Sequence, residues 1–291
     1  MQHLRALWTS LRPSQWVKNL LVFAALVFGH KAGDPTAVSQ AAIAFLLFCA
    51  AASGIYLLND IRDRESDQLH PLKLTRPIAS GALPVSIAGT ASFVLILGAC
   101  LGSRWLGNAF SLTLIGFVVL QFAYTFALKR IVIIDVFAVA LGFVLRAAGG
   151  ASAIRVEMSS WLLVCSLTLA LFLALAKRRH EVILLEDKAE EHRASLSQYS
   201  PYFLDQLIGV VTAATVMAYA LYTLSPDTVV KFGTHRLVFT LPFVLYGVFR
   251  YLYLVHQKQG GANPTRMFLT DPALLVNTAL WLAMSALIVY G

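Results

Sequence analysis

The chain has 291 residues, 58% hydrophobic and only 13% charged, whereas soluble domains carry about 25% charged residues. No water-soluble core of this length needs so much apolar surface, so the bilayer is the expected solvent. The formal charge of +8 is spread between apolar runs rather than along one stripe, which argues for orientation in a membrane and against a nucleic-acid partner.

In chain order the apolar stretches are Trp16–Gly29, Val38–Leu58, Val85–Ser103, Trp105–Leu128, Ile131–Ala153, Ser159–Ala176, Leu207–Leu224, Leu237–Val255 and Pro272–Tyr290. Most approach the roughly 20 residues that a spanning helix requires; the first is short and is expected to extend its helix into the interface. That first run lacks a small-residue cleavage site after it and reads as an anchor rather than a signal peptide. Long apolar runs exclude the alternating pattern of a barrel, leaving an all-α integral membrane protein with a single polytopic domain over residues 1–291. Cys49, Cys100 and Cys165 each fall inside an apolar run without a CxxC pair, so neither a disulfide nor a zinc site is expected.

Lysine and arginine set the orientation. Arg5, Arg12 and Lys18 precede the first run, and Arg62, Arg64, Lys73, Arg76, Lys129, Arg130, Lys177, Arg178, Arg179, Lys188, Arg193, Lys258 and Arg266 share its side of the membrane. The opposite side holds Lys31, Arg104, Arg155, Lys231 and Arg236. The positive-inside rule therefore places the N-terminus in the cytoplasm and Gly291 outside. Trp8, Trp16, Trp105 and Trp161, near the ends of spans, fit interfacial anchoring.

The second run leads into Tyr56-Leu-Leu-Asn-Asp-Ile-Arg-Asp-Arg-Glu-Ser-Asp67. On a continuing helix Asn59, Asp60, Asp63 and Asp67 share an arc of roughly 100°, while Glu65 projects to the other side. Carboxylates crowded on one face repel unless a cation sits among them, and hard oxygen ligands suit Mg²⁺ held together with substrate phosphates. The plainer alternative is a solvated acidic helix end neutralised by Arg62 and Arg64. Lys73 and Arg76 in the following loop are candidate ligands for those phosphates. Lys18, Lys129, Lys177 and Arg178 lie near the same face and join them, although positive-inside topology is the better explanation for any one lysine, and Arg178 with Glu181 has the spacing of a structural i,i+3 pair. Asp135 and Arg146 are charges inside an apolar run, costly at about 2.5–3.5 kcal/mol each. Roughly 16 Å apart along one helix, they cannot pair directly. Asp135 belongs near the cytoplasmic mouth with Tyr124 and Lys129, supporting the substrate site, and Arg146 lies deeper, either facing the cavity as a substrate-binding candidate or anchored on a carbonyl cluster. Phe122, Phe126 and Phe143 are candidates to line a groove for an apolar tail, or simply pack.

Asn59-Asp60-x-x-Asp63-x-x-x-Asp67 after the second span resembles the first aspartate motif of the UbiA prenyltransferase superfamily. Within it, the chain is most similar to decaprenyl-phosphate phosphoribosyltransferases, through Leu11-Arg-Pro-Ser-Gln-Trp-Val-Lys-Asn19, Tyr56–Asp67, His70-Pro-x-Lys-x-x-Arg-Pro77, Asp135 with Arg146-Ala-x-x-Gly150, Lys177-Arg-x-x-Glu181 and Ser195-Leu-x-x-Tyr199. The resemblance implies nine transmembrane helices around a central cavity. It implies Mg²⁺ on Asn59, Asp60, Asp63 and Asp67, and adds Gln15, Asn19, Glu181 and Tyr199 to the substrate-binding candidates. The implied donor is 5-phosphoribosyl diphosphate and the acceptor a polyprenyl phosphate, in a bacterial inner membrane, with the product feeding an arabinose-containing envelope polymer. A homo-oligomer is compatible with the family.

The chain departs from the wider superfamily after the sixth span, where a second acidic motif is replaced by Lys177-Arg-Arg-His-Glu181. Replacing acid with base favours direct phosphate binding over a second metal site. Two other functions remain open at this level: prenylation of an aromatic acceptor, and a transporter or scaffold. Transporters usually place their ligands at the bilayer midplane rather than at its mouth.

Overall fold

The computed structural model describes residues 2–69, 73–185, 196–258 and 264–290. His70, Lys188, Arg193, Ser195 and Gly291, used above, lie outside them. Every regular element among the described residues is helical, and eight helices are long and apolar enough to cross a membrane. The chain is thus a multi-pass, all-helical membrane protein. It forms two compact units, residues 1–127 with 145–157, and residues 128–144 with 158–291.

In the first unit, α1 (Gln2–Leu11) precedes a 3-10 segment, Pro13–Phe23, and a short α2 (Ala24–Phe28). Then come α3 (Pro35–Arg62), α4 (Arg64–Leu69), α5 (Val85–Gly102) and α6 (Asn108–Phe126). Helix α7 (Ile134–Ala153) contributes its residues from Leu145 onward to this unit and its earlier residues to the other. The second unit adds α8 (Ser160–Leu185), α9 (Pro201–Leu224), α10 (Pro226–Phe232), α11 (Leu241–Gln257), α12 (Pro264–Thr270) and α13 (Pro272–Tyr290).

The first predicted span is the place where sequence and structure differ most. It is wound as eleven 3-10 residues followed by five α-helical ones. At about 2.0 and 1.5 Å per residue these advance about 30 Å, the thickness of a hydrocarbon core, so a run too short for an α-helical span reaches by being drawn out. Side chains three apart eclipse in a 3-10 helix, which puts Trp16, Asn19 and Val22 on one edge. Trp16 Nε1 donates to Ser53 Oγ at 3.0 Å, Asn19 Nδ2 to Cys49 Sγ at 3.1 Å, and Val22 is wholly buried. Three 3-10 residues and four α-helical residues both advance about 6 Å, so this edge stays in register with one face of α3.

Three long helices begin with a polar cap ahead of proline. Asp34 accepts from the Thr36 and Ala37 N–H groups, Ser200 from Phe203, and Asp271 from Leu274. The cap satisfies a donor that the first turn leaves over, and proline has no N–H to waste there. In the first unit α3 lies against α5, close enough that a Cβ on Gly54 would meet Ile96 at 2.6 Å, and the Ser92 hydroxyl donates to the Gly54 carbonyl at 2.7 Å. The Gly150 backbone comes still closer to Val22, where a Cβ would sit 2.0 Å from the carbonyl oxygen. Phe48, Phe110 and Phe117 fill this unit's core, and Phe172 and Tyr251 fill that of the second.

Candidate active site

The acidic motif sits where α3 leaves its membrane-spanning stretch. The helix does not run on unbroken: it ends at Arg62, with Asp63 as its C-cap. Two i→i−4 backbone bonds, Asp63 to Asn59 at 2.9 Å and Asp67 to Asp63 at 2.8 Å, nevertheless carry the helical phase into α4. The predicted arc therefore survives the break. Asp60 and Asp67 are buried, Asn59 and Asp63 half-buried, and Glu65 is exposed, as the arc requires.

The expectation that only a metal reconciles these carboxylates needs correction, because the chain supplies its own cations. Arg12 Nη2 lies 2.5 Å from Asp60 Oδ1. Arg76 Nη1 reaches both Asp60 Oδ1, at 3.2 Å, and Asp67 Oδ2, at 2.6 Å. The two acids thus converge on one guanidinium nitrogen, and a cation between them has two hard oxygens at hand. Arg12 was read above only as a topology charge. Its backbone is left-handed, at φ +55, immediately before Pro13, and its guanidinium lies over the Tyr56 ring. Its place in Leu11–Asn19 was the available signal.

Among the described residues no three His, Cys, Asp or Glu side chains gather as a ready metal cage. One or two carboxylates completed by water and substrate phosphate is nonetheless the usual Mg²⁺ arrangement. Asp60 and Asp67, with Asn59 and Asp63 beside them, fit that donor set.

Deeper in the same unit, Arg146 is buried, as its sequence position suggested. Its Nε donates to Asn19 Oδ1 at 2.6 Å and its guanidinium lies 4.5 Å from the Phe117 ring centroid. Asn19 is consequently spent on Arg146 and Cys49, so the structure gives it a bracing contact. Gln15 and Lys18 lie half-buried on the 3-10 segment, and Tyr124 half-buried on α6. Lys73 is half-buried in the turn leading to Arg76.

The second unit brings Asp135, Arg178, Glu181 and Tyr199 together. Arg178 Nε lies 3.0 Å from Asp135 Oδ2, and its Nη1 donates to Glu181 Oε2. The Tyr199 hydroxyl donates to Asp135 Oδ1 at 2.7 Å. Burial, then the Asp135 carboxylate, pushes that hydroxyl's pKa well above the ordinary tyrosine range. Lys177 is 47% exposed, with Nζ 3.5 Å from Glu181, so the exposed cation of this cluster is the lysine rather than Arg178. Lys129 is half-buried in the Leu128–Arg130 turn.

Long apolar helices, with an Asn-Asp-x-x-Asp motif at the end of one of them, define a class of intramembrane helical proteins that carry an acidic cluster at a helix end. The chain belongs to the UbiA prenyltransferase family, whose sequence profile matches residues 20–290. It is 38% identical to a decaprenyl-phosphate phosphoribosyltransferase of Corynebacterium glutamicum over 289 residues, covering 97% of this chain and 86% of the relative. It is 32% identical to the protein of that name from Mycobacterium tuberculosis over 287 residues, covering 97% and 94%. In fold it is similar to a UbiA homolog from Archaeoglobus fulgidus solved with GPP and Mg²⁺, at a TM-score of 0.74 and 19% identity over the whole of both chains.

Proposed function

We propose that this protein transfers a 5-phosphoribosyl group from phosphoribosyl diphosphate to a polyprenyl phosphate, releasing diphosphate. The observation that carries this reading is the near full-length similarity to decaprenyl-phosphate phosphoribosyltransferases. The basic Lys177–Glu181 segment supports it, because base stands where other superfamily members place a second acidic motif.

In the proposed reaction the anomeric C–O bond to diphosphate breaks and a phosphate oxygen of the acceptor forms the new bond at that carbon. A phosphate monoester is already anionic, so no general base is needed, and alignment and charge stabilisation dominate. Asp60 and Asp67, aided by Asn59 and Asp63, would hold Mg²⁺, which when bound neutralises charge on the departing diphosphate. Arg12 and Arg76 then have phosphate oxygens to bind in place of the carboxylates. Lys18, Lys73, Lys129 and Lys177 are the further candidates for phosphate. Asp135, Arg178, Glu181 and Tyr199 support them by holding shape, and Arg146 with Asn19 braces the first unit. Gln15 and Tyr124 remain candidates for direct contact. The N-terminus and acidic mouth would face the cytoplasm in a bacterial inner membrane, with the product supplied to arabinose-containing envelope polymer synthesis.

Purified protein in lipid decides the matter. Labelled ribose phosphate should move from phosphoribosyl diphosphate to polyprenyl phosphate in a divalent-metal-dependent reaction. Prenylation of 4-hydroxybenzoate without ribosyl transfer would overturn this assignment.

A further inference from the structure

The backbone enters α7 through a strained turn. Ile133 has φ +68, which a β-branched residue rarely adopts. Across it the Ile134 N–H donates to the Val132 carbonyl at 2.8 Å, the i→i+2 bond of the rare, positive-φ γ-turn. The Ile133 side chain is 39% exposed, so packing of that side chain does not impose the geometry. Such a conformation is costly and persists only where its surroundings over-determine it.

Tyr199 is what over-determines it. The Ile133 N–H donates to the Tyr199 oxygen at 2.6 Å, and the same hydroxyl donates onward to Asp135. One phenol thereby holds the strained residue and the carboxylate that pairs with Arg178. Tyr199 is itself only 4% exposed, so its chemistry is directed at the protein. The turn it fastens includes Lys129, a candidate phosphate ligand.

We propose that Tyr199 is a positioning residue: its hydroxyl pins the turn between Leu128 and Ile134 and so sets Lys129 for the donor's phosphates. The inference deepens the phosphoribosyltransferase reading and rests on it for the identity of the donor. Asp135 is the second anchor of the same clamp, which accounts for a carboxylate with no exposed surface at the start of a membrane helix.

The test uses the full chain in lipid nanodiscs. Tyr199→Phe keeps the ring stacked on Phe203 and removes only the hydroxyl. The KM for phosphoribosyl diphosphate should rise about tenfold, the equivalent of 1.4 kcal/mol, with kcat changed by less than about threefold. Amide hydrogen exchange should accelerate in residues 128–137. Adding Ile133→Gly, which adopts positive φ without strain, should return both KM and exchange towards the parent values. The proposal is overturned if Tyr199→Phe leaves exchange and KM unchanged, or if the glycine fails to restore them. The exchange measurement needs no turnover, so a parent protein that transfers no ribose phosphate would defeat the functional reading while the clamp is still judged on its own.

Discussion

Asp60, Arg76 and Asp67 in the first unit and Asp135, Arg178 and Glu181 in the second share one plan, an arginine between two carboxylates, with burial reversed. In the first, both acids are 3% exposed and the arginine 27%. In the second, the arginine is 3% exposed, Asp135 not at all, and Glu181 27%. A guanidinium with access to water can leave its partners for a phosphate, and the acids left behind are then ready for a metal. An enclosed guanidinium cannot leave without stranding Asp135, so that group keeps its shape and exposes Lys177 beside it. On the proposed reading, the same residue types therefore make an exchangeable cluster in one unit and a fixed one in the other.

The sharpest way to break this contrast is Arg178→Met. It should destabilise the protein by about 3–5 kcal/mol, because it leaves Asp135 buried and unpaired. Thermal unfolding in detergent measures this, and adding Asp135→Asn should recover most of the loss. If Arg178→Met melts with the parent, the second cluster is not fixed. Next in size is Asp60→Asn, expected to keep the fold but lower turnover by about 10²–10³, the usual consequence of removing a group that stabilises developing charge. Full metal-dependent turnover in that variant would remove Asp60 from the site.

Arg76→Ala separates the two clusters more finely. A partly exposed ion pair is worth about 1 kcal/mol, so freeing Asp60 and Asp67 should tighten Mn²⁺ binding about fivefold in calorimetry without substrate. Turnover should fall in the same variant, since the proposed phosphate ligand is lost. Weaker Mn²⁺ binding would show that Arg76 does not compete for those oxygens. The smallest effect is expected away from both clusters, at Asp271, which caps α13 and pairs with Arg250 at 2.8 Å. Asp271→Ala should cost about 1 kcal/mol at neutral pH. The Arg250 hydrogen bond holds the Asp271 carboxyl below its ordinary pKa. Its contribution is therefore complete above the unfolded value of about 3.9 and disappears as pH falls through the lower folded value. The variant and parent should converge in melting temperature as the medium is acidified through that window.

The long helices were legible because nothing but lipid rewards such runs of apolar residues, and the three capped starts announce themselves as Asp-Pro or Ser-Pro. The acidic arc was legible because helical phase survived the break at Asp63. What the sequence could not convey was the partner of each charge. Arg12 is far from Asp60 along the chain, and periodicity carries no information about contacts of that kind. Asp135 and Arg178 sit on different helices, so their pairing was hidden behind the nearer Arg178–Glu181 spacing. Ile133 left no trace at all, since a β-branched residue is the last choice for a positive-φ turn and only tertiary bonds explain it. The winding of the first span was not legible, because composition does not show where the chain runs on three residues per turn instead of 3.6.

That three-residue winding also fixes a gauge. Rewound as an α-helix, the stretch from Arg12 to Asn19 would contract by about 3.5 Å, enough to break the 2.5 Å contact of Arg12 with Asp60. The middle of the segment is moored at Asn19, which accepts from Arg146, and its N-terminal end holds Arg12 beside Asp60. The stretched helix thus works as a spacer cut to length, tying a buried cation to an exchangeable one.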